Sequence, residues 1–248
     1  MALFFNILLF QLLAAGHAAP VATAATGKVT IRFINQVKGS PLVLNEVPYT
    51  NPSGETYRVK KCRYYISNVA LEKNGAWKRE KDSYHLIDQS DSNSLSFSFS
   101  LPAGNYTSIR FLLGVDSLKN VSGAQTGALD PLHDMFWTWN TGYVMAKLEA
   151  VSPQSKLARQ KVEYHIGGFK GDNNVLKEVS FSFAGINGLG IKNGMTSEIM
   201  IAADIDQWWG PEKLSIADTP ACNTPGKLAK KIAGNYVNMF SILQTTHY

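Results

Sequence analysis

Ser94-Leu95-Ser96-Phe97-Ser98-Phe99-Ser100 is the stretch on which the fold class turns. Its apolar side chains recur at every second residue and serine fills the places between. A helix would scatter such a pattern around its circumference, whereas an extended chain sorts it onto two faces, one for a core and one for water. The same period returns on either side. Val29, Ile31 and Phe33 alternate with Thr30 and Arg32, Ile109, Phe111 and Leu113 follow an Ala103-Gly104-Asn105 turn, and Val179, Phe181 and Phe183 alternate with Ser180 and Ser182. Asn74-Gly75 lies between Leu71 and Trp77, and both residues accept the positive φ that a two-residue hairpin needs. Further strands are expected at 57–71, 84–87, 142–149, 162–166 and 197–203. The pattern predicts an all-β chain, an antiparallel β-sandwich of Ig-like or jelly-roll-like kind. One C-terminal amphipathic helix is expected to pack on it. Thr224-Pro225 would open that helix, and Leu228, Ile232, Tyr236, Met239, Phe240 and Leu243 recur at helical spacing.

The 248 residues are 45% hydrophobic and 17% charged, enough apolar matter for a core without metal or disulfide support. The net charge of +5 is scattered, and no basic stripe suited to nucleic acid is present. Residues 3–13 are apolar except for Asn6 and Gln11 and lead into small residues, with Gly16 and Ala18 placed for cleavage. No Lys or Arg precedes the run. The reading is a secretory signal over 1–19, a flexible linker over 20–27 and a single sandwich domain over 28–248, exported to the periplasm or beyond. No cysteine follows the signal to carry a lipid anchor, and no membrane insertion is expected once it is removed. Cys62 and Cys222 are the two cysteines. One bridge closing a long loop and two buried thiols both fit.

Motifs of catalysis are missing: there is no nucleophile elbow, phosphate-cradling glycine loop, zinc helix or Cys-x-x-Cys pair. The expectation is a binding protein, not an enzyme. The densest chemistry lies in Leu129-Asp130-Pro131-Leu132-His133-Asp134-Met135-Phe136-Trp137-Thr138-Trp139. Imidazole nitrogen and thioether sulfur suit copper, and an ordinary aromatic corner with a hydrogen-bonded His133 also fits. His165 lies on the polar face of its strand with Lys161 and Glu163, and His85 stands in a second strand. A different class of function would use Trp77, Trp208 and Trp209 as an exposed platform for a glycan or protein.

Several stretches in order resemble the MbnP-like family of exported copper-binding proteins, in the form common in Bacteroidetes-type bacteria. They are Tyr64-Tyr65-Ile66-Ser67-Asn68-Val69-Ala70-Leu71, then Tyr84-His85-Leu86-Ile87-Asp88, then Phe111-Leu112-Leu113-Gly114-Val115-Asp116-Ser117. Gly127-Ala128-Leu129-Asp130-Pro131, Met135-Phe136-Trp137-Thr138-Trp139-Asn140-Thr141-Gly142-Tyr143 and Tyr164-His165-Ile166-Gly167-Gly168 follow, and Ile232-Ala233-Gly234-Asn235-Tyr236-Val237-Asn238-Met239-Phe240 closes the series. The resemblance implies a β-sandwich that holds copper through histidines, here His133 and His165 first and His85 next. It also implies a di-haem cytochrome c peroxidase-like partner that oxidises a tryptophan, Trp137 or Trp139. Near the C-terminus, where the resemblance implies histidines, the chain has His247 alone. The segment Thr219-Pro220-Ala221-Cys222-Asn223 also lacks an implied histidine, and either Cys222 substitutes as a soft ligand or the site is incomplete.

Overall fold

Strand Thr56–Lys73, eighteen residues long, is the axis of the structure, a computed structural model that describes residues 25–123, 125–138, 141–184 and 188–247. Its length lets it carry neighbours end to end along both edges. Around Arg63 and Tyr64 it is bonded to Tyr84–Asp88 on one side and Gly142–Val151 on the other. Around Ala70 to Glu72 it is bonded to Ala76–Arg79 and Ser108–Leu113. Lys177–Ser182 extends the sheet beyond Ser108–Leu113, and Lys161–Gly167 with the short Ala221–Cys222 extends it beyond Gly142–Val151. A second sheet is built on Thr26–Val37, flanked by Ser96–Pro102 and Thr196–Asp204, with the C-terminal strand Phe240–His247 outside the latter.

The two sheets meet face to face through large aromatics. Phe33 of the second sheet lies with its ring centre 6.0 Å from Tyr64 and 6.1 Å from Phe111, both edge-on, and Phe240 closes the cluster at 5.8 Å from Tyr64. All are buried, so hydrophobic transfer and aromatic contact act at one place. This confirms the mostly-β, sandwich-like expectation, and the Asn74-Gly75 turn has positive φ at both residues as its chemistry requires.

Three expectations need correction. The sandwich is not purely antiparallel: Thr26–Val37 runs parallel to Thr196–Asp204, and Lys161–Gly167 runs parallel to Ala221–Cys222. The C-terminal helix is shorter than its spacing suggests. It spans Lys227–Tyr236 after Gly226, whose φ is positive, not from Thr224-Pro225. The Asn238 side chain donates to the carbonyls of Gly234 and Asn235 and stops it, and Phe240–His247 then pairs as a strand with Thr196–Asp204. His247 therefore lies in a strand, opposite Ser197. The cysteines are both free and buried. Cys62, Leu148, Tyr164 and Cys222 form one cross-strand row, so the two thiols stand three strands apart, about 14 Å and beyond bridging distance. The signal and most of the linker fall outside the described residues, and the first strand opens at Thr26, inside the end of the expected linker.

Thiol titration without reductant should find no reactive thiol in the native protein and two after unfolding. Reductant should leave the thermal midpoint unchanged.

Candidate metal centre

The inward face of the larger sheet carries Tyr64 and Ile66, so Arg63 and Tyr65, of opposite parity, point outward. Tyr65 is nevertheless fully buried. It is covered by the segment between Ser108–Leu113 and Gly142–Val151, which leaves one strand and crosses the outer face before entering the other. Tyr143 packs edge-on against Tyr65 at 5.7 Å and donates its hydroxyl to the Leu129 carbonyl at 2.8 Å. Asn120 ties the segment's two ends. Its amide nitrogen donates to the Val115 and Asp116 carbonyls, and its oxygen accepts from the Tyr143 amide at 2.8 Å. This cover carries His133 and Trp137.

Beneath it runs a cross-strand row of outward residues, Asp88, Arg63, Lys147 and His165, one from each of four adjacent strands. Arg63 Nε pairs with Asp88 at 2.7 Å, and Arg63 Nη1 donates to the His133 carbonyl at 2.9 Å. Lys147 Nζ donates to the Asp134 carboxylate at 2.8 Å. Lys61 approaches Asp134 at 3.5 Å and Glu149 at 3.7 Å. Burial would raise the Asp134 carboxyl, but the hydrogen bond and charge of Lys147, joined by Lys61, hold it below the ordinary carboxylate range.

His165, half-buried, sets Nε2 3.0 Å from Glu149 Oε1. That hydrogen bond comes first among the causes that keep Glu149 below its usual value. The exposed His133 sets Nε2 3.0 Å from the Gly127 carbonyl. Both partners only accept, so Nε2 carries the proton in each neutral ring and Nδ1 keeps its lone pair. A ligating histidine is commonly oriented in this way. Trp137, half-buried, lies on Gly167, where a β-carbon would come within 2.5 Å of the ring. Gly167 follows His165 by two residues on the same face, roughly 7 Å along the strand. The sheet and its cover thus bring His133, Trp137 and His165 to one side of one sheet.

The remaining expected residues do not join them. His85 pairs in register with Ile66, on the inward face, where its ring stacks on Phe97 at 3.4 Å and its Nε2 meets Glu80 at 2.9 Å. Cys222 pairs with Tyr164, also inward, and burial pushes its thiol up and away from the ligating thiolate. Trp139 lies outside the described residues. Trp208 and Trp209 are fully buried in the core and Trp77 lies under Arg110 at 4.3 Å, so these rings form no stacking platform. Among the described residues no three His, Cys, Asp or Glu side chains gather into a preformed cage. Lys147 was not anticipated. The signal was a single lysine within Tyr143-Val144-Met145-Ala146-Lys147-Leu148, an otherwise apolar run that marks a strand covered on both faces.

A sequence model of the MbnP family matches residues 26–224. The structure is similar to that of MbnP from Methylosinus trichosporium, with a TM-score of 0.57 at 13% identity, covering 90% of this chain and 99% of that one. At that identity the likeness speaks for the fold alone. No curated protein matches the chain.

Gly167→Ala should displace the Trp137 indole and cost about 1–3 kcal/mol, read from the urea midpoint. Because Asp134 has a depressed folded pKa, its contribution to stability is complete above the unfolded value and is lost as pH falls through the folded one. The stability gap between wild type and Asp134→Asn should therefore be widest near neutrality and shrink below about pH 4.

Proposed function

The chain belongs to the MbnP family, which is associated with copper-related systems, and from that premise we propose that it is an exported copper-binding protein acting in metal acquisition or handling. Copper is its cargo, and the chain itself is a binder, not a catalyst. His133 and His165 supply the nitrogen donors through Nδ1. Two imidazoles suffice for copper(I), which accepts low coordination and soft or borderline ligands. The observation that carries this reading is that both rings have Nε2 engaged by an acceptor while both lie on the outer side of the larger sheet, as Trp137 does.

The working place is the periplasm or the exterior. Among the described residues no helix is long and apolar enough to cross a membrane. The partner is a di-haem cytochrome c peroxidase-like protein, for which this chain is the substrate and Trp137 the ring oxidised. A half-buried indole beside the ligand face suits that role, since oxidation would alter the surroundings of the metal without touching the sandwich core.

The deciding experiment measures metal content and intact mass of protein from its native host, beside a His133→Ala/His165→Ala variant. Stoichiometric copper that the variant loses, with a mass shift matching an oxidised tryptophan in the wild type, is the expected result. A metal-free wild-type protein that also fails to take up added copper(I) would remove the proposal.

A further inference from the structure

We propose that Lys147, acting with Arg63, is the positioning residue of this centre and sets His133 over the sheet face that holds His165; the inference deepens the copper reading and rests on it. Lys147 stands between Arg63 and His165 in the row, and its side chain is 2% exposed. An ammonium so placed needs acceptors, and it takes two from one residue of the cover, the Asp134 carboxylate and the Asp134 backbone carbonyl. Its neighbour Arg63 takes the adjoining carbonyl, that of His133. Two consecutive peptide carbonyls are therefore gripped by two consecutive cations of the row.

The grip falls where the main chain turns left-handed. Asp134 has φ 56 and ψ 36, in the left-handed region, and it links the Pro131–His133 turn to the Phe136–Thr138 strand that carries Trp137. An ordinary surface ion pair would hold only the carboxylate. A lysine that also holds the carbonyl fixes the orientation of the peptide and, with it, the direction in which both flanking side chains leave. The cations of the row are offset, Lys147 by Asp134 of the cover and Arg63 by Asp88 beside it. Placement, not net field, is what the clamp contributes.

Lys147→Met tests this in the full chain. The substitution is close in volume, removes a buried charge, and leaves the Asp134 carboxylate, 69% exposed, free to turn to water, so the sandwich keeps its fold. Three readings are compared with wild type: the thermal midpoint, hydrogen exchange at the amides of His133, Asp134 and Val144, and affinity for copper(I) supplied alone in competition with a chelator. We expect the midpoint to hold, exchange at those amides to rise at least tenfold and copper(I) affinity to fall at least tenfold. Unchanged copper(I) affinity in Lys147→Met would overturn the inference while leaving the copper function standing. Unchanged exchange at the three amides would overturn it as well. A wild-type chain that binds no copper(I) would instead remove the proposed function, and the clamp would be judged on exchange alone.

Discussion

A sheet that is apolar on both faces has to be covered twice, and the larger sheet here is apolar on its outer side where Tyr65 and Tyr143 meet. The inner side is closed by the second sheet through Phe33, Phe240 and their neighbours. The outer side is closed by another means, the chain passing between Ser108–Leu113 and Gly142–Val151, two strands that lie along the same edge of Thr56–Lys73. The candidate centre follows from this topological need. Its histidine from the cover and its histidine from the sheet lie on the same side because one layer must lie on the other.

Polar groups trapped under such a cover cost least when paired, and the row Asp88, Arg63, Lys147, His165 shows how, while the buried Tyr65 hydroxyl beside it meets no partner among the described residues. Each cation reaches either a carboxylate or a peptide carbonyl, and both histidines donate from Nε2 to an acceptor. Buried ion pairs of this kind contribute little net stability, because desolvation offsets their attraction. What they do supply is a unique arrangement. A purely apolar contact at the same place would let the cover slide by a rotamer or a half turn at small cost.

Much of the fold was legible because it was written in period two. Val29 to Phe33, Phe97 to Leu101 and Ile109 to Leu113 show the same alternation in structure as in sequence, whereas Ser94 and Leu95, which share that period, end a short 3-10 helix, Ser92–Leu95. Parallel pairing was not legible, since a strand's own residues do not say which partner it meets or in which direction. The C-terminal strand was masked by coincidence. Leu243 falls in step with Ile232 and Tyr236, and only the Asn238 side chain, turning back on the last helical carbonyls, breaks the rhythm. At the site, His165 could be assigned to an outward face from its own strand. His85 could not be assigned, because its side depends on its register with Ile66. Trp208-Trp209 before Gly210-Pro211 reads as a loop and is a core.

The parallel contact between Thr26–Val37 and Thr196–Asp204 joins segments some 170 residues apart in the chain. A polypeptide emerging in order, from a ribosome or across a membrane, offers its first strand long before that partner exists. Until Thr196 arrives, Val29, Ile31 and Phe33 have only the Ser96–Pro102 strand beside them, and one edge of the smaller sheet stays open. Long-range pairing of this kind makes folding slow and late. The topology thus keeps the chain from closing early, and the smaller sheet is completed only when residues 196–204 have joined it.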